Sequence, residues 1–217
     1  MVLMRSYPDR DAWLKARTSY IGGSDAACIV GANPWKSNLR LWEEKTGRRK
    51  ADDLGENKLV RYGVNAEGYL RALFQLDYPD YIVFYQDHNM WVNERYPFAH
   101  ASLDGWMQDG NKRKGILEIK TATISSSAHK AQWEDQIPQN YFIQILHYFA
   151  VTEADFAILK AQLKYEIEGK EPFLQTRHYR INREDVEADI EYLMQKEEEF
   201  TRYITEDRQP PLILPEI

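Results

Sequence analysis

The chain has 217 residues, 43% hydrophobic and 29% charged, with a formal net charge of −6 and a pI near 5.5. This composition suits one globular domain with a sizeable core, excludes a fibrous or disordered chain, and supplies no overall positive charge for nucleic acid. No apolar run approaches the roughly 18 residues that span a bilayer, and the N-terminus lacks a signal-peptide core; the single cysteine, Cys28, has no internal disulfide partner and falls short of the four thiolates of an iron–sulfur cluster.

A reducing cytoplasm without an iron–sulfur cluster or membrane partner is therefore expected. The total charge hides an uneven spread: residues 1–50 carry ten basic and five acidic side chains, whereas 183–208 carry four basic and ten acidic. The N-terminal quarter reads as two short helices. Ser24 is the expected N-cap of Asp25–Val30, with Gly31 ending it, and Ser37 caps Asn38–Thr46, closed by Gly47. Asn33-Pro34-Trp35 makes the turn between them. From Glu56 to Leu76 the apolar residues Leu59, Ala66, Leu70, Leu73 and Phe74 recur at helical spacing, with Glu67 on the same stripe.

Short strands follow at Tyr81–Tyr85, Met90–Val92, Ala99–Met107 and Gly115–Ala122. Pro138 opens a helix through Val151 that is apolar nearly all round and so buried, with Gln144 and His147 on one face. Strands at Phe156–Leu163 and Phe173–Ile181 and a last helix, Arg183–Thr205, complete the chain. Glu197 interrupts that helix's stripe of Val186, Ile190, Leu193, Phe200 and Ile204. Helices flanking a short mixed sheet give an α/β (α+β) fold. With no repeat or linker to divide it, 1–217 reads as a single domain.

The chemistry gathers at Ala101-Ser102-Leu103-Asp104-Gly105-Trp106 and Ile116-Leu117-Glu118-Ile119-Lys120-Thr121. Side chains alternate along a strand, so Leu117 and Ile119 face one way and Glu118 and Lys120 the other. A Glu-x-Lys triplet also occurs at Glu43–Lys45, Glu56–Lys58 and Glu168–Lys170, but only this one lies in an apolar β-type run preceded by an aspartate on a neighbouring strand. Buried Asp104, Glu118 and Lys120 would each cost several kcal/mol unless compensated. A hard divalent cation is one solution. Mg2+ takes oxygen ligands, which Asp104, Glu118 and the Ile119 carbonyl can supply; Lys120 would orient or help deprotonate a water and offset charge on a pentacovalent phosphate. Spacing alone leaves open a turn carboxylate at Asp104 and a surface ion pair between Glu118 and Lys120. The five histidines form no His-Glu-x-x-His pair, and neither a P-loop nor Gly-x-Gly-x-x-Gly occurs, which argues against a zinc hydrolase or a nucleotide-driven motor.

Arg17-Thr18-Ser19-Tyr20-Ile21-Gly22-Gly23-Ser24-Asp25-Ala26-Ala27, Gly31-Ala32-Asn33-Pro34-Trp35, Leu41-Trp42-Glu43-Glu44-Lys45-Thr46-Gly47, the Glu67 helix, Ser102-Leu103-Asp104-Gly105, Leu117-Glu118-Ile119-Lys120-Thr121 and Gln144-Ile145-Leu146-His147-Tyr148 occur in that order. Together they resemble the YqaJ-type viral recombinase nucleases, relatives of lambda exonuclease in the PD-(D/E)xK superfamily, over residues 13–151. The resemblance implies a restriction-endonuclease-like core with a central mixed sheet. It implies Mg2+-dependent 5′-to-3′ degradation of double-stranded DNA ends, with Mn2+ as a substitute ion. The 3′ single strands so exposed would pass to a phage single-strand annealing protein. By motif, Asp104 and Glu118 would be metal ligands, Lys120 the catalytic lysine and Glu67 an assisting helix carboxylate. Arg17, Ser24, Ser102 and Gln144 would match positions that hold a terminal 5′-phosphate or the adjoining backbone. A homo-oligomer, as a trimeric ring, and a phage or prophage origin in a bacterial host are also implied.

Residue 103 is Leu where the motif has Pro. A serine at a helix N-terminus combines a hydroxyl with free N–H groups and a favourable dipole end, and Arg17 can add a bidentate phosphate contact. Trp13, Tyr20, Trp35 and Trp42 are candidates for stacking on bases, with a core role as the commoner outcome for an aromatic. The alternatives are a noncatalytic DNA-end-binding scaffold and an endonuclease of the same superfamily.

Overall fold

A computed structural model describes residues 1–166, 169 and 171–213, so the triplet Glu168–Lys170 lies outside the described residues. In chain order the elements are β1 (Val2–Ser6), α1 (Arg10–Arg17), β2 (Ile21–Gly22), α2 (Gly23–Ile29), α3 (Asn38–Lys45), α4 (Lys58–Asp77), β3 (Ile82–Phe84), β4 (Asn89–Asn93), β5 (Tyr96–Ala101), β6 (Gly105–Gln108), β7 (Lys114–Ile124), α5 (Ser127–Ala131), α6 (Gln139–Thr152), β8 (Phe156–Tyr165), β9 (Phe173–Asn182) and α7 (Glu187–Thr205). One sheet has the order β1-β4-β5-β2 and the other β3-β6-β7-β8-β9. β7 and β8 are parallel, joined through α5 and α6, while β6 and β9 flank them antiparallel. This is the expected mixed α/β architecture.

Alternation along the central strands divides the core. Ile116 of β7 and Ala157, Leu159, Ala161 and Leu163 of β8 pack with α6, whose residues Ile145–Thr152 are buried throughout. Leu117 and Ile119 with Phe156 and Ile158 pack on the opposite face against Leu70 and Phe74 of α4. The five-stranded sheet is thus covered by α6 on one face and α4 on the other. Cys28 is buried in a third cluster with Trp42 and Phe200, and burial pushes its thiol up to about 12, so it is an inert packing group.

Several local expectations hold. Ser37 Oγ accepts from the Arg40 N–H at 3.2 Å to cap α3, and Asn33 Oδ1 accepts from the Trp35 and Lys36 N–H groups at 2.8 and 2.9 Å to make the turn. Gly31 and Gly47 take φ of 77° and 74° just past α2 and α3, the left-handed region that glycine enters without strain.

Other local expectations need correction. Ser24 is not an N-cap: the cap is Gly22, and the Asp25 side chain accepts the Gly22 N–H at 3.1 Å. Both glycines are needed there, because a Cβ on Gly22 would stand 2.9 Å from His100 Nε2 and one on Gly23 2.5 Å from Tyr148 Cε1. The run Ala99–Met107 is two strands in two different sheets, broken at Ser102–Asp104. β1, α1, β2 and α5 are not among the elements expected from sequence; α1 has 8 residues and buries none of them, and β2 has only 2 residues. On α4 the buried residues are Leu70 and Phe74, while Leu59 and Leu73 are exposed.

Candidate active site

β7 runs past its neighbour. The β6–β7 ladder ends at Gly105 opposite Leu117, so from Glu118 onward β7 has the Ser102–Asp104 turn beside it instead of a strand. The turn supplies the missing partner: Asp104 Oδ2 accepts the Ile119 N–H at 2.8 Å. In a strand the N–H and C=O of one residue point to the same side, so the Ile119 carbonyl also faces Asp104. Glu118 and Lys120 share the other strand face, as alternation requires, and Lys120 Nζ lies 2.6 Å from Glu118 Oε1. The same oxygen accepts from Gln144 Nε2 of α6 at 2.9 Å, and that nitrogen also donates to Tyr148 Oη at 2.7 Å.

The pair is no surface ion pair, since the Glu118 side chain is 2% exposed. Glu118 Oε2 is buried without a hydrogen-bond partner among the described residues. Burial and the neighbouring Asp104 carboxylate push the Glu118 carboxyl well above the usual range, and burial likewise raises Asp104. Burial disfavours the Lys120 ammonium, but Glu118 and Asp104 outweigh it and hold the amine charged. Glu67 of α4 is pushed up to about 7 by burial and by Asp104, with Lys120 and Arg71 opposing. Arg71, one turn after Glu67, donates through Nη1 to the Asp104 carbonyl and lies over the Tyr85 ring, 3.4 Å from its centroid.

An orphaned buried carboxylate oxygen, a second carboxylate across the strand edge and a main-chain carbonyl form an all-oxygen donor set that suits a hard divalent cation. Among the described residues, no three His, Cys, Asp or Glu side chains are grouped tightly enough to hold a metal on their own. Glu67 therefore feels the centre electrostatically without completing a carboxylate trio. Two carboxylates plus a carbonyl is the number Mg2+ commonly takes from protein, with waters and substrate completing its shell.

The residues matched to phosphate binding separate on inspection. Ser102 lies in the turn two residues before Asp104, and its Oγ is buried without a hydrogen-bond partner among the described residues. β2 pairs parallel to β5 with Gly22 opposite His100, which brings the first turn of α2, with Ser24, alongside that turn. Arg17, at the end of α1, stacks over the Trp13 ring at 4.2 Å and makes no ion pair among the described residues. Gln144 is committed instead to Glu118 and Tyr148. His147, three residues on, has different partners and bonds Glu197 and the His100 carbonyl. The helix-dipole argument for Ser24 weakens, because α2 has only 7 residues and Asp25 places a carboxylate in its first turn.

Half of the ten basic residues in 1–50 form ion pairs among the described residues. Lys36 pairs with Glu44, Arg40 with Glu44 and Asp52, Lys45 with Asp25, Arg48 with Asp207 and Arg49 with Glu43. Arg17 stands out as a half-buried cation with no carboxylate of its own. Of the four aromatics, Trp42 is buried in the core, Trp13 bonds Asn89 through its indole, Tyr20 packs edge-on to His100, and Trp35 is exposed.

Solved structures share this fold. Two crystal structures of the alkaline exonuclease LHK-Exo from Laribacter hongkongensis, one in complex with dAMP, superpose with TM-scores of 0.60 and 0.61, covering 91% of this chain and 95% of theirs at 16% and 17% identity. A phage-related exonuclease from Haemophilus somnus 129PT gives 0.53 at 12% identity, covering 87% and 96%. At these identities the likeness establishes a shared fold with these proteins and nothing beyond it.

Sequence narrows the class to a family. The profile of the YqaJ-like viral recombinase domain matches residues 12–155, and the chain belongs to that family. The uncharacterized protein YqaJ of Bacillus subtilis (strain 168) is 31% identical over 156 residues, 69% of this chain, although those residues span only 46% of that relative's length. Among the described residues, no helix is long and apolar enough to cross a membrane.

Proposed function

We propose that the chain is a Mg2+-dependent deoxyribonuclease that degrades double-stranded DNA from 5′ ends and leaves 3′ single strands for annealing-type recombination. The observation that carries this reading is the free edge of β7. There Asp104, Glu118 and the Ile119 carbonyl converge with Lys120, and Glu118 Oε2 is buried unpaired among the described residues. Those three groups would hold Mg2+, or Mn2+ in its place. When bound, the ion supplies Lewis-acid polarisation of the scissile phosphoryl oxygen.

The chain's own groups do the rest. The Lys120 ammonium offsets negative charge building on the phosphoryl oxygens, and its contact with Glu118 fixes where it stands. Gln144 donates to Glu118 and so orients the carboxylate that would hold the ion. Glu67 adds negative potential from α4. Arg17, which makes no ion pair among the described residues, and Ser102, whose Oγ has no hydrogen-bond partner among them, bind the terminal 5′-phosphate, with Ser24 beside them. A homo-oligomer, in the ring of three that the family resemblance implies, and a phage annealing protein as partner belong to the same proposal.

The test is incubation of the pure protein with 5′-phosphorylated linear duplex and with covalently closed circular duplex, each with Mg2+. Linear DNA should yield acid-soluble nucleotides while the circle survives. Removing one pre-organised charge from such a centre costs about 100-fold or more, so Lys120→Ala should fall by at least that factor. Undiminished cleavage by Lys120→Ala or in EDTA would remove the assignment, and nicking of the circle would make the enzyme an endonuclease.

A further inference from the structure

The Ser102-Leu103-Asp104 turn carries two of the groups proposed above, yet it belongs to neither sheet. Side chains hold it. Asn89, the first residue of β4, is 4% exposed and stands against Leu103. The Leu103 N–H donates to Asn89 Oδ1 at 2.9 Å, and Asn89 Nδ2 donates back to the Leu103 carbonyl at 2.9 Å. One amide thus engages both main-chain groups of one residue, as a partner residue does in an antiparallel ladder. The second Nδ2 proton goes to the Gln86 carbonyl at 2.9 Å, so both donors of the amide are used.

Leu103 is where the chain departs from the proline of the motif. Proline has no N–H, so the bond from residue 103 to Asn89 requires a residue other than proline there. Asparagine is also depleted in strands, which makes a buried Asn in β4 costly unless its amide is matched. The main chain of Asn89 makes a further link: its carbonyl accepts the Trp13 Nε1–H at 3.0 Å, and the Trp13 ring carries the Arg17 guanidinium.

We propose that Asn89 is a positioning residue for the candidate nuclease centre. Its side-chain amide sets the Ser102–Asp104 turn against the free edge of β7, and its carbonyl ties that turn to the Trp13–Arg17 face. The consequence for catalysis rests on the nuclease reading; the positioning rests on the hydrogen bonds alone.

The experiment compares wild type with Asn89→Ala and Asn89→Asp, the latter keeping the acceptor for the Leu103 N–H and losing both donors. Mn2+ affinity is read by electron paramagnetic resonance of free Mn2+ without DNA. Amide exchange at Leu103 and Ile119, melting temperature, and kcat and KM on 5′-phosphorylated duplex complete the set. Both variants should remain folded, bind Mn2+ at least tenfold more weakly, exchange the Ile119 amide at least tenfold faster and lose kcat more than KM. A folded variant with wild-type Mn2+ affinity and wild-type exchange at Ile119 overturns the proposal. Should Asn89→Ala fail to fold, Asn89→Asp decides by the same two readings. If the wild type binds no Mn2+ and cleaves nothing, the nuclease reading fails and amide exchange alone decides: unchanged Ile119 exchange then overturns the positioning role, and accelerated exchange upholds it.

Discussion

At Gly23 a single missing side chain decides how closely α2 approaches the candidate site. A Cβ there would meet Tyr148 Cε1 at 2.5 Å and Gln144 Cγ at 3.0 Å, both on the buried side of α6. Gly23→Ala should therefore destabilise the fold by about 1–3 kcal/mol, the usual range for overpacking, and reduce cleavage by displacing Gln144 from Glu118. Urea unfolding and initial rates on linear duplex check the two effects. The shared face of Glu118 and Lys120 is legible in the sequence because strand alternation alone requires it, and 2.6 Å separates their charged atoms, whereas spacing alone leaves the role of Asp104 open. Arg17, Ser24, Ser102 and Gln144 were legible only through family resemblance. Ser24 was misread as a cap because the tight approach of Gly22 and Gly23 to His100 and Tyr148 is a tertiary fact that no local pattern displays. Asn89 was missed altogether, since its partner lies 14 residues away; an Asn flanking a predicted strand was the signal.

Between elements, the most consequential contact was half visible. Glu197 interrupted the apolar stripe of the last helix, and the structure shows why: it is buried against His147 of α6, with Nδ1 at 2.8 and 3.0 Å from its two oxygens. His147 Nε2 faces the His100 carbonyl at 2.8 Å. Both ring nitrogens meet acceptors, so the ring is an imidazolium that bolts α7 and β5 to α6. Burial opposes that charge, but Glu197 outweighs it and raises the pKa above its ordinary 6.5. A raised histidine contributes its full stability below 6.5 and loses it as pH rises through the folded value. The melting temperature should accordingly fall as pH increases above neutrality. Glu197→Ala should cost about 3–5 kcal/mol on the acid side of neutrality, the range for a buried pair broken by removing one partner, and should flatten the profile. A pH series of melts on both proteins measures this. The remaining stripe residues Ile190, Leu193 and Phe200 are buried within the chain, so α7 leaves little apolar surface for a partner. The exposed row is on α4, where Leu59, Tyr69, Leu73 and Leu76 follow steps compatible with a helix seam. If the proposed oligomer uses it, Tyr69→Glu with Leu76→Glu should leave melting nearly unchanged while light scattering reports smaller particles.

For the whole molecule, the net charge of −6 argued against a nucleic-acid partner. The structure resolves that total into parts. Half of the N-terminal cations neutralise carboxylates, including Asp207 beyond the acidic last helix, while buried carboxylates gather at the β7 edge. A centre of that kind repels phosphate until a cation enters it, so DNA binding should depend steeply on divalent ions and on a terminal phosphate held by Arg17 and Ser102, with weak affinity for internal duplex. The layered fold was foreseeable from periodicity, because β7, β8 and α6 are long and strongly patterned. The four-stranded sheet was not, since β2 has only 2 residues and β1 pairs with a strand some eighty positions away. The most direct measurement is a time course on linear duplex bearing a 5′-phosphate and a terminal label on one strand, with Mg2+ and with EDTA. The account predicts that the label leaves first as mononucleotide, only with Mg2+, while the complementary 3′ strand stays intact. Label released in EDTA, or internal fragments appearing before terminal nucleotides, would contradict it.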